Sequence, residues 1–161
     1  MRYYLLSLLL TMAISGCAQE GTFDEMFKSM TTGSVRVVKP EEISEKTRVV
    51  YLDARELNEF QVSHIPGAIH IGYDDFEMDR VSDLPKDALI IVYCSVGYRS
   101  EKIGEKLLKA GFRNVGNLYG GIFYWVNSGR QVVNAQGPTR KVHAYNERWG
   151  QWLIKAEKVY E

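Results

Sequence analysis

The sequence predicts an α/β protein in which helices flank a central parallel sheet. Short apolar runs, rich in β-branched residues, alternate with loops and helical patterns as far as Leu118. Such alternation favours parallel strands joined by crossover helices. The run Leu89–Tyr93 is also wholly apolar or aromatic, which is typical of a strand buried on both faces.

The elements follow from the same patterns in chain order. The predicted strands are 35–38, 49–52 ending at Asp53, Ile69 with Ile71, and Leu89–Tyr93. The predicted helices are 40–44, 56–62 and 100–110, the last closed by Gly111. In the helix over 56–62 we expect Leu57 and Phe60 to face inward.

The composition fits a single domain with balanced charge. The chain has 161 residues, which is enough for one domain with a proper core. Its 20 basic and 20 acidic residues are interspersed and give no long-range attraction to nucleic acid. We therefore expect no nucleic-acid partner, and a monomer as far as the sequence indicates.

The first 17 residues have the order of an export signal. Arg2 precedes an apolar stretch over 3–14, which is shorter than the about 20 residues of a membrane-spanning helix. The tetrapeptide Ile14-Ser15-Gly16-Cys17 resembles the lipobox of bacterial lipoproteins, in which cleavage before the cysteine exposes it for lipid attachment. The alternative is a plain secretory signal that contains a cysteine.

The lipobox implies a signal peptide over residues 1–16 and a lipidated Cys17 with a tether over 17–33. Ala18 resembles the residue found in lipoproteins sent to an outer membrane. We therefore expect a lipid-anchored protein of the cell envelope, on the periplasmic face of the outer membrane if the host has one. A lipid on Cys17 would prevent a disulfide and leave Cys94 as the free thiol.

Cys94 lies where a buried strand passes through a short loop into a helix. Backbone N–H groups at the start of a helix converge and carry partial positive charge, so they stabilise negative charge on a sulfur. Gly97 permits a tight turn and Arg99 adds a cation. The alternative is a structural cysteine that ends a core strand. The loop is Cys94-Ser95-Val96-Gly97-Tyr98-Arg99-Ser100.

Several short motifs follow one another between residues 33 and 131. They are Asp53-Ala54-Arg55, Glu59-Phe60, His64-Ile65-Pro66-Gly67-Ala68, the Cys94 loop, and Leu118-Tyr119-Gly120-Gly121-Ile122 followed by Trp125. In order and spacing they resemble the motifs of single-domain rhodanese-like proteins, a sulfurtransferase family whose fold is a small α/β sandwich. We expect this domain to cover residues 34–131. One departure is Ser63, where relatives commonly have glycine before the histidine, and we expect it to cost little.

The resemblance implies sulfur transfer through Cys94. In that family the active-site cysteine takes sulfane sulfur from a donor such as thiosulfate, holds it as a persulfide and passes it to cyanide or a thiol, without a cofactor. Carried over, the amides from Ser95 to Ser100 bind the persulfide or a small anionic donor. From the loop residues themselves, Arg99 is the only side chain that could attract that anion. Tyr98 is expected to form one wall of the substrate entrance, the alternative being an exposed loop aromatic.

Two alternatives stay open. One is a phosphatase or arsenate reductase, activities found among relatives with a longer loop. That chemistry requires Cys, five residues and then Arg, whereas Arg99 follows Cys94 after four residues. The other is a non-catalytic module that binds a partner or carries sulfur for it.

Other polar residues near the predicted strand ends have mainly structural interpretations. Asp53 and Arg55 could orient the cysteine loop, but we favour a structural role in which Arg55 pairs with Glu59, four residues on. His64 is expected to fix a turn by hydrogen bonding. The histidines and Cys94 lack compact metal-ligand spacing, so no metal site is expected.

Residues 132–161 extend beyond the motifs. The segment 137–161 contains apolar residues at the spacing of one helix face, namely Trp149, Trp152, Leu153, Ala156 and Tyr160. We expect an amphipathic helix whose apolar face packs on the domain. If exposed, that face would bind a partner or the membrane surface.

Overall fold

The computed structural model describes residues 21–44 and 46–161. The predicted signal peptide and Cys17 lie outside the described residues, so the lipid anchor stays a prediction. Within the described ranges, no helix combines the length and the apolar character needed to cross a membrane.

Five parallel strands form the central sheet. They are β1 (Arg36–Val38), β2 (Val49–Asp53), β3 (Ile69–His70), β4 (Leu89–Tyr93) and β5 (Asn114–Leu118). Their order across the sheet is β1-β5-β4-β2-β3. The apolar β4 is therefore paired on both sides, as its continuous run predicts. The carboxyl ends of all five strands meet at one edge, where ligands bind in sheets of this kind.

Helices cover both faces of the sheet. The first four are α1 (Phe23–Met30), α2 (Leu57–Val62), α3 (Tyr98–Lys109) and α4 (Gly121–Asn127). Alternate residues of β4 point to opposite faces. Ile90 and Val92 pack with Ile103 of α3, whereas Ile91 and Tyr93 pack with the residues of α4. This two-sided core confirms the predicted α/β sandwich.

Two of the predicted helices differ in detail from the prediction. The helix expected over 40–44 is a shorter 3-10 turn, Pro40–Glu42. Leu57 was expected to face inward but is 53% exposed. Glu59 faces inward in its place, because its carboxylate pairs with the largely buried guanidinium of Arg99.

Part of the segment expected to be a tether belongs to the folded domain. Thr22 caps α1 with its hydroxyl, and Phe27 is 4% exposed and packs on the ring of Tyr119. After the helix, the buried carboxylate of Glu101 accepts hydrogen bonds of 2.8 to 3.2 Å from the amides of residues 32–34. Residues 22–33 therefore pack on the domain that we expected to begin at residue 34.

The amphipathic helix expected within 137–161, with Trp149 to Tyr160 on one face, is wrong. Asn146 caps a helix of only four residues, which ends at Gly150, a residue of low helix propensity, and residues 157–159 then form a strand. An antiparallel hairpin comes first, and two parallel strands then flank the short helix. The elements are β6 (Val132–Asn134), β7 (Gly137–Thr139), β8 (Lys141–His143), α5 (Glu147–Gly150) and β9 (Glu157–Val159).

Four of the five apolar residues expected to pack on the domain do so, whereas Tyr160 is 44% exposed. Leu153 is fully buried, and Trp149 and Trp152 pack against the same core cluster. Asn127 of α4 ties the segment down. Its Nδ2 donates to the Trp152 carbonyl at 2.8 Å, and its Oδ1 accepts from the Ile154 amide at 2.9 Å.

Candidate active site

Cys94 lies directly after β4, at the carboxyl edge of the sheet, and is 1% exposed. The amide of Gly97 donates to Cys94 Sγ at 3.1 Å, and Ser100 Oγ lies 3.5 Å from the same sulfur. Gly97 has a φ of 123°, a value that favours glycine. The sulfur is thus held at the start of the 12-residue α3, whose first amides lack intrahelical acceptors.

The backbone of the cysteine loop is fixed by α4. The amides of Ile122 and Phe123 donate to the carbonyls of Cys94 and Ser95 at 2.9 and 3.2 Å. This close approach requires glycine at position 121, because a Cβ there would collide with the Cys94 carbonyl oxygen. The glycine motif seen in the sequence therefore supports the loop from a second helix.

Asn117, which the sequence analysis missed, lies on β5 beside the loop and is fully buried. Its Nδ2 donates to the Gly97 carbonyl at 2.9 Å, and its Oδ1 accepts from the Ser100 hydroxyl at 2.7 Å. Because a carbonyl can only accept, the Gly97 bond fixes the orientation of the amide. We call Cys94, Gly97, Ser100 and Asn117 the floor.

Arg99 does not present a free charge to an anion, contrary to the expectation from the sequence. Its guanidinium pairs with Glu59 through bonds of 2.6 and 2.8 Å. The Ser95 hydroxyl donates to Glu59 at 3.0 Å and accepts from Arg99 at 3.0 Å. Burial alone would raise the pKa of Glu59, but the hydrogen bond and charge of Arg99 hold that pKa below its ordinary value.

Asp53 and Arg55 form a separate buried ion pair, so the expected pair of Arg55 with Glu59 is not formed. Both side chains are 0% exposed, with Arg55 Nη2 2.7 Å from Asp53 Oδ2 and Nε 3.0 Å from Oδ1. Arg55 Nη2 also donates to the Ser63 carbonyl at 2.7 Å. These bonds join the end of β2 to the end of α2, so Arg55 has structural contacts, but its partner is Asp53 and not the expected Glu59.

Ser63 and His64 follow α2. The hydroxyl of Ser63 and the Nη1 atom of Arg55 are buried without a hydrogen-bond partner among the described residues. Because a buried hydroxyl without a partner lowers stability, Ser63 destabilises the fold more than we expected. The His64 Nδ1 atom lies 3.0 Å from the Phe60 carbonyl and its ring stacks on Phe60, so it fixes a turn.

In the ranges that the structure describes, no group of His, Cys, Asp and Glu could hold a metal ion.

A cavity of about 340 Å³ opens at the cysteine loop. Cys94 and Tyr98 line it, and Tyr98 is 42% exposed, at the position expected of an entrance wall. Met30 of α1, Tyr145 and Trp149 also line the cavity, and we call these three residues the outer wall. The sequence analysis missed them, because nothing in their spacing links them to the loop.

Residues 40–128 match the family model of the rhodanese-like domain. The chain belongs to the rhodanese-like domain family. Among curated proteins it is 33% identical over 89 residues to a sulfurtransferase of Allochromatium vinosum, covering 55% of this chain and 82% of that protein. It is 30% identical over 138 residues to a tRNA uridine(34) hydroxylase of Photorhabdus laumondii, covering 82% of this chain and 39% of that protein.

A solved structure shows the same rhodanese-like arrangement. The thiosulfate sulfurtransferase from Pseudomonas aeruginosa has a TM-score of 0.58 and 25% identity, covering 81% of this chain and 25% of that chain. This rhodanese-like chain spans about two fifths of the length of the hydroxylase it matches. The floor lies within the family match, whereas the outer wall lies outside it.

Proposed function

We propose that this rhodanese-like protein is a sulfurtransferase that carries sulfane sulfur as a persulfide on Cys94. The observation that carries the proposal is the 3.1 Å hydrogen bond from the Gly97 amide to Cys94 Sγ at the start of α3. This donor is in place before reaction, so it stabilises a negative sulfur with little reorganisation. Family membership and the sulfurtransferase relative support the same chemistry.

Transfer takes place in two displacement steps. The Cys94 thiolate attacks the outer sulfur of the donor; the bond from Cys94 to that sulfur forms as the donor's own bond breaks, and the rest of the donor leaves with the electron pair. A thiol or cyanide then attacks the outer sulfur of the persulfide, and Cys94 leaves as a thiolate. Each step forms one bond to sulfur and breaks one, so no external oxidant or reductant is needed.

The geometry gives less support to a phosphatase or arsenate reductase. Those reactions need a guanidinium that encloses a tetrahedral oxyanion, whereas Arg99 is held by Glu59 and Ser95. The loop is also one residue shorter than that chemistry requires, since Arg99 follows Cys94 after four residues. Hydroxylation, named for the Photorhabdus relative, is not proposed because this chain spans only 39% of that protein.

Mass spectrometry and thiocyanate formation test the proposal. After treatment with thiosulfate or methanethiosulfonate, the Cys94 peptide should carry one added sulfur, which cyanide removes as thiocyanate. Cys94→Ser should abolish both signals, because oxygen replaces the carrier with almost no change in volume. Cys17→Ser is the matched control, because it makes the same change at the other of the chain's 2 cysteines, and it should keep sulfur transfer. Transfer that survives in Cys94→Ser contradicts the proposal.

We also propose that a lipid on Cys17 anchors the protein in the cell envelope, on the basis of Ile14-Ser15-Gly16-Cys17. The wild-type protein should fractionate with membranes, and Cys17→Ala should leave an uncleaved precursor or a soluble form without the lipid mass. A chain that begins at Thr22 keeps α1 and should be soluble and fully active. Membrane binding by that shorter chain would contradict the lipid as the anchor.

A further inference from the structure

The lining of the cavity at Cys94 combines apolar side chains with carboxylates. We propose that its donor is an organic persulfide, R–S–SH, whose R group is uncharged and apolar or aromatic, in preference to a small inorganic anion such as thiosulfate. The Cys94 thiolate attacks the outer sulfur, the bond between the two donor sulfurs breaks, and R–S⁻ leaves with the electron pair. This inference rests on the proposed function, because it names the donor for the same cysteine.

Apolar and aromatic side chains make up most of the lining. The cavity volume of about 340 Å³ falls in the range of pockets for small organic ligands. An aromatic or alkyl R group can contact these side chains, whereas thiosulfate has no apolar surface to offer. The residues concerned are Met30, Tyr73, Val96, Tyr98, Tyr145 and Trp149.

The charges at the cavity oppose an anionic donor. Arg99 also lines the cavity, but its guanidinium is neutralised by Glu59 at 2.6 Å. Glu56 and Asp74 add two carboxylates to the lining, and the Asp74 amide lies 3.5 Å from the Glu56 carboxylate. A dianion that approaches Cys94 is repelled by these groups, whereas an uncharged R group is not.

The outer wall is held in a defined position. The Asn146 side chain accepts from the Trp149 amide at 3.1 Å, and His143 Nδ1 accepts from the Tyr145 amide at 3.1 Å. Tyr145 has a φ of 66°, an uncommon value for a residue with a side chain, and its ring lies 5.3 Å from the Arg99 guanidinium carbon. Such a conformation persists only where its surroundings fix it. The wall is therefore in place before a donor binds.

A pair of thiosulfonates separates apolar contact from charge. Benzenethiosulfonate and methanethiosulfonate are both monoanions that give up their outer sulfur and leave as sulfinates, so they differ in the R group. The kcat/KM for each donor is divided by the rate constant of the same donor with free cysteine, which corrects for its intrinsic reactivity. We call the ratio of the two corrected values the preference, and we expect it to be about tenfold in favour of benzenethiosulfonate. Equal corrected values would overturn the inference.

Variants of the outer wall locate this preference. Tyr145→Ala and Trp149→Ala should each reduce it about fivefold, with Trp149→Leu used if the alanine variant does not fold. Ile154→Ala is the control, since Ile154 is 76% exposed in the same segment and lies outside the lining. A preference that survives both wall variants, or is lost equally in Ile154→Ala, would overturn the inference.

The carboxylates are tested separately. Asp74→Asn should raise kcat/KM for thiosulfate about threefold more than for benzenethiosulfonate, because the dianion gains more from the lost negative charge. Asp83→Asn removes an exposed carboxylate outside the lining and should change neither value. If no donor places sulfur on Cys94, the proposed function fails. If all donors load Cys94 at equal corrected rates, only the donor preference fails.

Discussion

The floor and the outer wall of the cavity differ in both construction and origin. The floor is buried, is fixed by hydrogen bonds between polar groups, and lies within residues 40–128 that match the family. The outer wall comes from residues on either side of that range, is partly exposed and offers mainly apolar contact. In the functions proposed above, the buried polar network sets the reaction and the flanking segments select the substrate.

The two regions should therefore respond differently to mutation. Removing one partner from a buried polar network leaves another group desolvated and unsatisfied, so stability and rate fall together. Removing a ring from a partly exposed wall leaves no such group behind, so its main effect falls on the choice of substrate.

The largest effect is expected at Glu59, which supports the cysteine loop from α2. Glu59→Gln leaves the guanidinium of Arg99, whose side chain is 14% exposed, without its counter-charge. Breaking a buried pair in this way costs about 3 kcal/mol. Urea unfolding should show a lower midpoint, and the rate of sulfur transfer should fall because Ser95 loses its carboxylate acceptor.

Asp75→Asn is the matched control for Glu59→Gln. Asp75 and Arg80 form an arginine–carboxylate pair of 2.7 Å that is largely exposed, and exposed pairs add little stability. Because the pKa of Glu59 is lowered by Arg99, its contribution is present above about pH 4.3 and is lost as pH falls through the lowered value. A Glu59→Gln protein as stable as Asp75→Asn at neutral pH would contradict the buried pair.

The next effect in size is expected at Asn117, which positions the floor without touching a donor. Asn117→Ala removes two buried hydrogen bonds, one to the Gly97 carbonyl and one from the Ser100 hydroxyl, a loss of about 1–3 kcal/mol. The Ser100 hydroxyl keeps its contact with the Gly97 carbonyl at 3.1 Å. We expect kcat to fall about tenfold, because misplaced reacting groups slow the chemical step, with KM nearly unchanged. Asn114→Ala, at the exposed start of the same strand, should leave kcat unchanged. A stability loss without a change in kcat would limit Asn117 to a structural role.

The two regions also differ in how far the sequence predicts them. Cys94 and Gly97 are near neighbours in the chain, so apolar runs and helix signals were enough to place the loop between β4 and α3. Asn117 and Glu59 reach the loop from 20 and 36 residues away, and contacts between distant polar residues leave no periodic pattern. An asparagine within an otherwise buried strand was the one available signal for Asn117.

The outer wall was harder to predict for a different reason. The spacing of Trp149 and Trp152 matches a helix face, and the prediction that they pack on the domain is confirmed. Spacing alone does not show that Pro138 and Asn146 divide the segment into short elements. It also does not show which part of the domain the segment meets, because apolar contact is not directional.

A smaller effect concerns pH and the outer wall. His143 is 5% exposed, and burial lowers its pKa. The charge of Glu59 raises this pKa, whereas the charges of Arg55 and Arg99 lower it further. Since the unfolded chain binds this proton more readily, the stabilisation is present above about pH 6.5 and is lost as pH falls through the lowered value. Once protonated, Nδ1 can no longer accept from the Tyr145 amide.

Urea-unfolding midpoints measured at about pH 7.5 and about pH 5.5 check this coupling between His143 protonation and stability. His143→Asn keeps an acceptor for the Tyr145 amide but does not titrate, so its midpoint should fall less than that of the wild type. The corrected preference for benzenethiosulfonate should likewise decline with acid in the wild type and less in His143→Asn. Equal pH dependence in the two proteins would contradict a role for His143.

The smallest effect, and the only predicted gain in stability, is expected at Ser63. Its hydroxyl is buried without a partner in the described part of the chain, and its extended φ of −173° suits alanine equally well. Ser63→Ala should raise the free energy of unfolding by about 1 kcal/mol, because the backbone carbonyl that binds Arg55 stays in place. Ser128→Ala, which removes a hydroxyl that donates to the Trp125 carbonyl at 2.7 Å, should give no such gain. A less stable Ser63→Ala protein would mean that this hydroxyl has a partner in solution, and the departure from glycine at this position would then be a stabilising one.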